Sequence, residues 1–389
     1  MTALTGLKVV DFSKFLPGPY CTWLLADLGA EVIRIENPRE LAKQRKVFGW
    51  DKLSDAENAR LRAHDILARG KKSVLIDPGS EDGRAAILKL IDQADILVED
   101  YRPGVMASMG YGWPEMAARN PRLIYCSVTL CGQTGPYARK PGHDPVALAI
   151  AGALSRIGED PDRPAFPGVP VADLLSGSNA VIGILAAVIA RTTTGKGQQV
   201  DIAMSDASLA LIGNILSRNP DLAKAPPKGV HRADSGIWRC ADGEWLVTTD
   251  MEPRYWRIFV ETIGLPDLAD KQMDRASWPA MKDRIAQVMA TKPRDAWLAI
   301  LDAAGTQFAP ILTVAQAMDD PHNHARGMIL DLPAPGGGTV RHTGCPIRLS
   351  DTPASPAAVA RPAGADTAEV LASLGYTAAQ AAALEGRLP

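Results

Sequence analysis

Along the first third of the chain, short β-branched runs alternate with segments whose apolar side chains recur every three or four positions. Gly6 to Phe12, Glu31 to Ile35, Ser73 to Ile76, Asp95 to Val98 and Leu123 to Val128 carry the strand pattern. Pro19 to Leu28, Glu81 to Gln93 and Trp113 to Ala118 carry helical spacing. This alternation predicts an α/β fold, a Rossmann-like doubly wound parallel sheet whose ligands sit in the loops after the carboxyl ends of the strands. From Pro38 to Gly70 the pattern gives way to a charged, irregular stretch, either a surface insertion or a ligand-covering loop. The strongest helix is Asp173 to Ala190, which contains the longest apolar run, 11 residues from Ala180 to Ala190. A membrane-spanning helix needs about 20 such residues, so this run reads as a buried helix.

Further on, Pro220 to Pro227 is rich in proline and lysine and reads as a linker. A second unit follows, with a strand pattern at Gly243 to Val247 and Ala-, Trp- and Arg-rich helices up to about Met318. After Pro321 the chain returns to turns, among them Pro335-Gly336-Gly337-Gly338, and ends in an Ala-rich helix. The expected organisation is a large domain from residues 1–200, a linker at 201–228, a smaller α+β domain at 229–320, and a return to the large domain at 321–389.

Composition narrows the chemistry. At 389 residues, 46% hydrophobic and 22% charged, the chain can bury a large core, and its formal net charge of −2 argues against a nucleic-acid or membrane-surface partner. The five cysteines include no C-x-x-C pair, so neither a zinc site nor a disulfide framework is indicated, and a reduced, cytoplasmic setting fits. The N-terminus has no basic start followed by an apolar run, as a signal peptide would. There is no P-loop, since Gly195-Lys196-Gly197 lacks the upstream glycine, and no H-E-x-x-H or G-x-S-x-G. No glycine run lies between the first strand and its helix, which argues against a nicotinamide enzyme. Two proton-transfer side chains remain conspicuous, His143 in Gly142-His143-Asp144 and Asp173 thirty residues later in Val171-Ala172-Asp173-Leu174. Such a pair suits two-base chemistry. Locally, Asp173 also fits a helix N-cap, His143 a turn residue and Glu252 simple helix-start chemistry before Pro253.

Several segments together carry a family resemblance: Leu4-Thr5-Gly6-Leu7-Lys8-Val9-Val10-Asp11, Pro17-Gly18-Pro19-Tyr20, Leu25 to Glu36, Tyr101-Arg102-Pro103-Gly104-Val105, Asn120 to Tyr125, Gly132 to Pro136 and Thr194 to Gln198. The chain resembles the family III CoA-transferases (CaiB/BaiF) and, within them, the α-methylacyl-CoA racemases. The resemblance implies an acyl-CoA thioester substrate, no cofactor beyond the coenzyme A it carries, and an interlocked homodimer. In the transferases an aspartate at the position of Asp173 forms the acyl anhydride and then carries the CoA thioester. The racemases add a histidine, matched by Gly142-His143-Asp144, and a glutamate, matched by Met251-Glu252-Pro253. Gly229 to Gly236 reads GVHRADSG in place of the glycine-rich flap of some transferases. The racemase branch is therefore favoured, with CoA transfer as the alternative and binding without turnover as a third, non-enzymatic one.

Racemisation beside a thioester needs a base on each face of the carbon and a donor for the enolate oxygen. The resemblance gives the first two roles to His143 and Asp173, with Glu252 orienting His143. At a helix start, Asp173 is expected to be kept ionised by the helix dipole, and the first free N–H groups of that helix to meet the enolate. Arg102 matches a residue near the CoA phosphates, and Arg69, Lys71 and Lys72 match a segment along the nucleotide. Arg39 is a further candidate.

Overall fold

The computed structural model describes residues 1–158, 160, 163–219, 221–222, 232–356 and 358–385. The chain divides into two compact units: Met1–Ile157 with Ala165–Ala225 and Gly327–Pro389, and Gly158–Pro164 with Pro226–Arg326.

The first unit opens β1 (Lys8–Asp11), α1 (Pro17–Asp27), β2 (Glu31–Glu36), α2 (Pro38–Val47), α3 (Asp55–Ala63), β3 (Lys71–Leu75), α4 (Glu81–Asp92) and β4 (Ile96–Glu99). It continues through α5 (Val105–Ser108), α6 (Trp113–Arg119), β5 (Ile124–Thr129), α7 (Asp144–Ile150), α8 (Val171–Thr194), β6 (Gln199–Ala203), α9 (Met204–Ala210) and α10 (Gly213–Arg218). The six strands form one sheet in the order β3-β2-β1-β4-β5-β6, every pairing parallel. This is the doubly wound topology, with its switch point between β1 and β4.

The strands are apolar on both sides because helices cover both faces. Val10, Ile33, Leu97 and Tyr125 belong to one core with Ile87 and Leu90 of α4. Their neighbours Val9, Val32, Ile96 and Ile124 belong to the other, with Leu24 and Leu25 of α1 and Val181 and Ile184 of α8. The period of two that marks a strand thus sorts successive residues into opposite cores. α8 is 24 residues long and, by length and composition alone, apolar enough to cross a membrane. In this fold it lies on α1, α9 and the sheet, and keeps Ile182 and Ile189 exposed.

The second unit holds β7 (Ser235–Arg239), β8 (Trp245–Thr249), α11 (Pro253–Thr262), α12 (Trp278–Met289), α13 (Arg294–Ala304), β9 (Phe308–Pro310), α14 (Val314–Asp319) and α15 (Pro321–Ala325). Its antiparallel sheet β7-β8-β9 shares a core with the helices through Trp238, Leu246, Trp256, Phe259, Ile285 and Trp297. The chain then returns to the first unit as the hairpin β10 (Ile329–Pro333) and β11 (Thr339–Thr343), followed by α16 (Thr367–Ser373) and α17 (Ala378–Leu384). The returning segment closes the free edge of β3, where Asp366 accepts from the Ser73 N–H and the Thr367 hydroxyl accepts from the Leu75 N–H.

Three sequence expectations need correction. The stretch from Pro38 to Gly70 is not irregular: it carries α2, capped by Asn37, and α3, capped by a Ser54–Glu57 capping box. Residues 201–218 are not linker, since they finish β6 and form α9 and α10 within the first unit. The turns expected after Pro321 include a β-hairpin whose bend is Gly336-Gly337-Gly338, all three at positive φ. Residues 223–231, most of the Pro220 to Pro227 linker and the start of the Gly229 to Gly236 segment, lie outside the described residues.

Two ion pairs are sealed in the first unit. Arg69 is fully buried and pairs with Asp27 at 2.5 Å while donating to the Thr343 carbonyl, and Lys71 donates to Asp11 at 3.0 Å, to Thr22 and to the Pro19 carbonyl. Removing one member strands a buried charge. Arg69→Ala should therefore cost roughly 3–5 kcal/mol of folding free energy, measured by denaturant unfolding. A loss below about 1 kcal/mol would contradict the structural role.

Candidate active site

At the switch point, the loop after β1 and the loop after β4 are tied by one side chain. Asp100 accepts hydrogen bonds from the N–H groups of Lys14 and Phe15, both at 2.9 Å. Burial raises its pKa to about 7, against the opposing pull of those two amides. A cavity of about 390 Å³ opens beside these loops, lined by Lys14, Asn37, Glu40, Phe48, Pro78 and Tyr101 among others. Lys14 pairs with Glu40 at 2.5 Å and stands 3.7 Å from the centre of the Tyr101 ring. Arg102, directly after Tyr101, is exposed and makes no ion pair among the described residues. Arg39, in the first turn of α2, is exposed and pairs with Asp77 at 3.2 Å.

The same β1 loop leads to His143 and, through its neighbour, to Asp173. Phe15 meets the ring of His143 edge-on, with centroids 6.0 Å apart. His143 is exposed and occupies the cap position before α7, without bonding that helix through its side chain. Its neighbour Asp144, the first residue of α7, is buried and turned to another helix. The Asp144 carboxylate accepts from the N–H groups of Ala172 at 2.6 Å and Asp173 at 3.2 Å. α8 begins after Pro170, which offers no side-chain acceptor, so Asp144 performs from α7 the capping that α8 cannot supply. Close packing seats this end of α8. A Cβ on Gly177 would lie 2.7 Å from the Pro17 carbonyl oxygen of α1.

Asp173 is the third residue of α8, not its cap, and its half-buried carboxylate makes no hydrogen bond among the described residues. Its pKa is raised to about 6, first by burial and then by the negative charge of Asp144, with His143 pulling the other way. A carboxyl near 6 is still mostly ionised above pH 7, with burial and Asp144 raising it from its ordinary value. One expectation needs correction. The N–H groups of Ala172 and Asp173 are not free for an enolate, because Asp144 takes both.

The remaining candidates separate. Glu252 lies in the second unit, exposed at the cap position of α11. The turn before it is anchored by Asp250, which accepts from the Gln307 N–H, and by Gln272, which donates to the Met251 carbonyl at 2.9 Å. Arg69 and Lys71 are withdrawn from any phosphate, since their charged ends are buried in the ion pairs described above; alternation along β3 turns only Lys72 outward. Lys72 is half-buried and shared between Glu31 and Glu369. Sequence reasoning passed over Asp100, Lys14, Phe15 and the role of Asp144. An Asp-Pro at a helix start was a readable signal, but its reach to a helix thirty residues on was not.

A model of CoA-transferase family III matches residues 4–367. The chain belongs to this family. It is 33% identical to the α-methylacyl-CoA racemase of Homo sapiens over 387 residues, covering 96% of this chain and 94% of that protein. It is 30% identical to the succinate–glutarate CoA-transferase of Agrobacterium fabrum, covering 95% of each. A crystal structure of a CAIB/BAIF family protein from Brucella suis superposes with a TM-score of 0.81 at 30% identity, covering 96% of this chain and 99% of that one. The family is thus fixed. The racemase and transferase relatives stand too close together in identity to decide the reaction.

The raised Asp173 has a consequence for stability. A carboxyl group that titrates at about 6 in the folded chain, against an ordinary 3.8, makes its ionised form a burden on folding above pH 6, relieved as pH falls toward 4. Asp173→Asn should therefore stabilise the fold at pH 8 by on the order of 1 kcal/mol, with the gain shrinking at pH 4.5 in urea unfolding. Equal destabilisation at both pH values would contradict this environment.

Proposed function

We propose that the protein is an acyl-CoA racemase or epimerase of the α-methylacyl-CoA type, using His143 and Asp173 as its two bases. The observation that carries this reading is the Asp173 carboxylate, raised in pKa and without a hydrogen bond among the described residues, on a turn whose amides Asp144 holds next to His143. A carboxyl group near 6 loses most of the gap that ordinarily separates carboxylates from imidazoles, which suits a reaction run in both directions.

In one direction, ionised Asp173 takes the proton from the carbon next to the thioester carbonyl, and the C–H electron pair moves into an enolate. Protonated His143 then delivers a proton to the opposite face, leaving neutral imidazole and protonated Asp173. The reverse turnover starts from that state, so no external acid or base is consumed. We assign the enolate oxygen to the backbone N–H of Asp144, which makes no hydrogen bond among the described residues, in place of the α8 amides. Such a donor is typically worth about 3–4 kcal/mol of transition-state stabilisation. Arg102, with Arg39, is assigned to the CoA phosphates, while Lys72, held by Glu31 at the amino end of β2, is not; the working form is assigned to a cytosolic, interlocked homodimer with no cofactor beyond the substrate's coenzyme A.

CoA transfer through Asp173 is the second reading, favoured by the transferase relative at 30% identity. The test is a single enantiomer of a 2-methylacyl-CoA incubated with no other carboxylic acid. Epimerisation on chiral analysis is expected, and His143→Ala and Asp173→Ala should each lower it at least a hundredfold. An Asp173-linked CoA ester seen by mass spectrometry, with CoA passing to an added acid, would replace the racemase reading by the transferase one. Arg102→Ala should raise KM for the CoA ester roughly tenfold with kcat little changed, because a phosphate contact is the same in ground and transition states. A fall in kcat at constant KM would remove Arg102 from phosphate binding.

A further inference from the structure

The caps of α7 and α8 are coupled in a way the assigned roles of His143 and Asp173 do not require. Asp144 adjoins His143 in sequence, yet its carboxylate is spent on the first turn of α8. An apolar residue at 144 would leave two amides of a buried helix end unpaired, and any neutral acceptor would satisfy them without adding charge. A carboxylate does both jobs at once.

We infer that Asp144 is a positioning residue for the proposed reaction: its bonds to the Ala172 and Asp173 amides aim the Asp173 carboxylate, and its fixed negative charge strengthens Asp173 as a base. The surroundings single Asp144 out. Among the acidic groups on elements packed against α8, Asp27 of α1 is paired with Arg69, Asp201 of β6 accepts from the Gln133 N–H, and Asp206 of α9 accepts from the Ser205 hydroxyl. Asp144 and His143 are the two titratable groups whose charge acts on Asp173, and they act in opposite directions. When His143 is protonated it eases ionisation of Asp173, and Asp144 opposes it. The two neighbouring charges thus pull the Asp173 carboxyl in opposite directions. The same carboxylate ties the start of α7 to the first turn of α8, so the Asp173 backbone cannot shift away from Asp144 without breaking a hydrogen bond.

The inference rests on the racemase reading for its place in catalysis, but its electrostatic core is measurable without turnover. The experiment titrates Asp173 by ¹³C NMR of aspartate labelled at the side-chain carboxyl, with the Asp173 signal assigned by its loss in Asp173→Asn. In the wild-type chain the midpoint is expected at about 6. In Asp144→Asn, which keeps an acceptor but removes the charge, it should fall by about one unit, and Asp144→Glu, which keeps the charge, should leave it near the wild-type value. Asp144→Ser supplies a second neutral variant should Asn not be tolerated. In turnover, the neutral variant should lower kcat several-fold at pH 8 with KM for the CoA ester held, and shift the acid limb of kcat to lower pH. A folded neutral variant with an unmoved Asp173 midpoint would overturn the inference, as would a Glu variant that moves it as far as Asn does. Failure of the wild-type chain to epimerise any acyl-CoA would instead defeat the racemase reading, and the titration would still decide the role of Asp144.

Discussion

The hydrogen bonds from the Ala172 and Asp173 amides to the Asp144 carboxylate are the constraint on which the site depends. A helix that begins after proline has no cap of its own, and a 24-residue apolar helix packed on a sheet cannot leave its first amides bare. Here the acceptor comes from the residue next to His143. The capping requirement of one helix thus fixes the backbone beside His143. The raised pKa of Asp173 follows first from its burial and then from the negative charge of Asp144.

The Rossmann-like sheet supplies the second half of the site. At its switch point Asp100 ties the loop after β1 to the end of β4. That loop carries Lys14 into the cavity with Tyr101, and Phe15 onto the His143 ring. A crevice at the carboxyl ends of the strands is where the topology places a ligand. Its lining is mixed, with the rings of Phe48 and Tyr101 beside the paired charges of Lys14 and Glu40.

Much of this was legible along the chain. Strands buried on both faces read as short β-branched runs, and all five expected in the large domain form within about two residues of their places. β6 escaped because its Gln199 to Ala203 run carries Asp201 at its centre and weak apolar alternation. The helices between 38 and 63 escaped because their charged composition hid them, although the Ser54-x-x-Glu57 cap was there to be read. The basic residues before β3 mark the limit most clearly. Arg69-Gly70-Lys71-Lys72 looks like an exposed cationic run, yet two of its three charges are buried against Asp27 and Asp11. Charge in a sequence does not say which way a side chain points. The pleat of β3 and acids placed elsewhere in the fold, Asp11 of β1 and Asp27 of α1, decide it.

The proposal that Asp173 and His143 exchange protons across one carbon is tested most directly by where solvent deuterium goes. One enantiomer of a 2-methylacyl-CoA would be turned over in heavy water, and early products separated by configuration and analysed by mass. Two bases on opposite faces predict one deuterium in the inverted product while the remaining substrate stays largely unlabelled. Label appearing equally in both enantiomers, or CoA transfer with no label in either, would contradict the account.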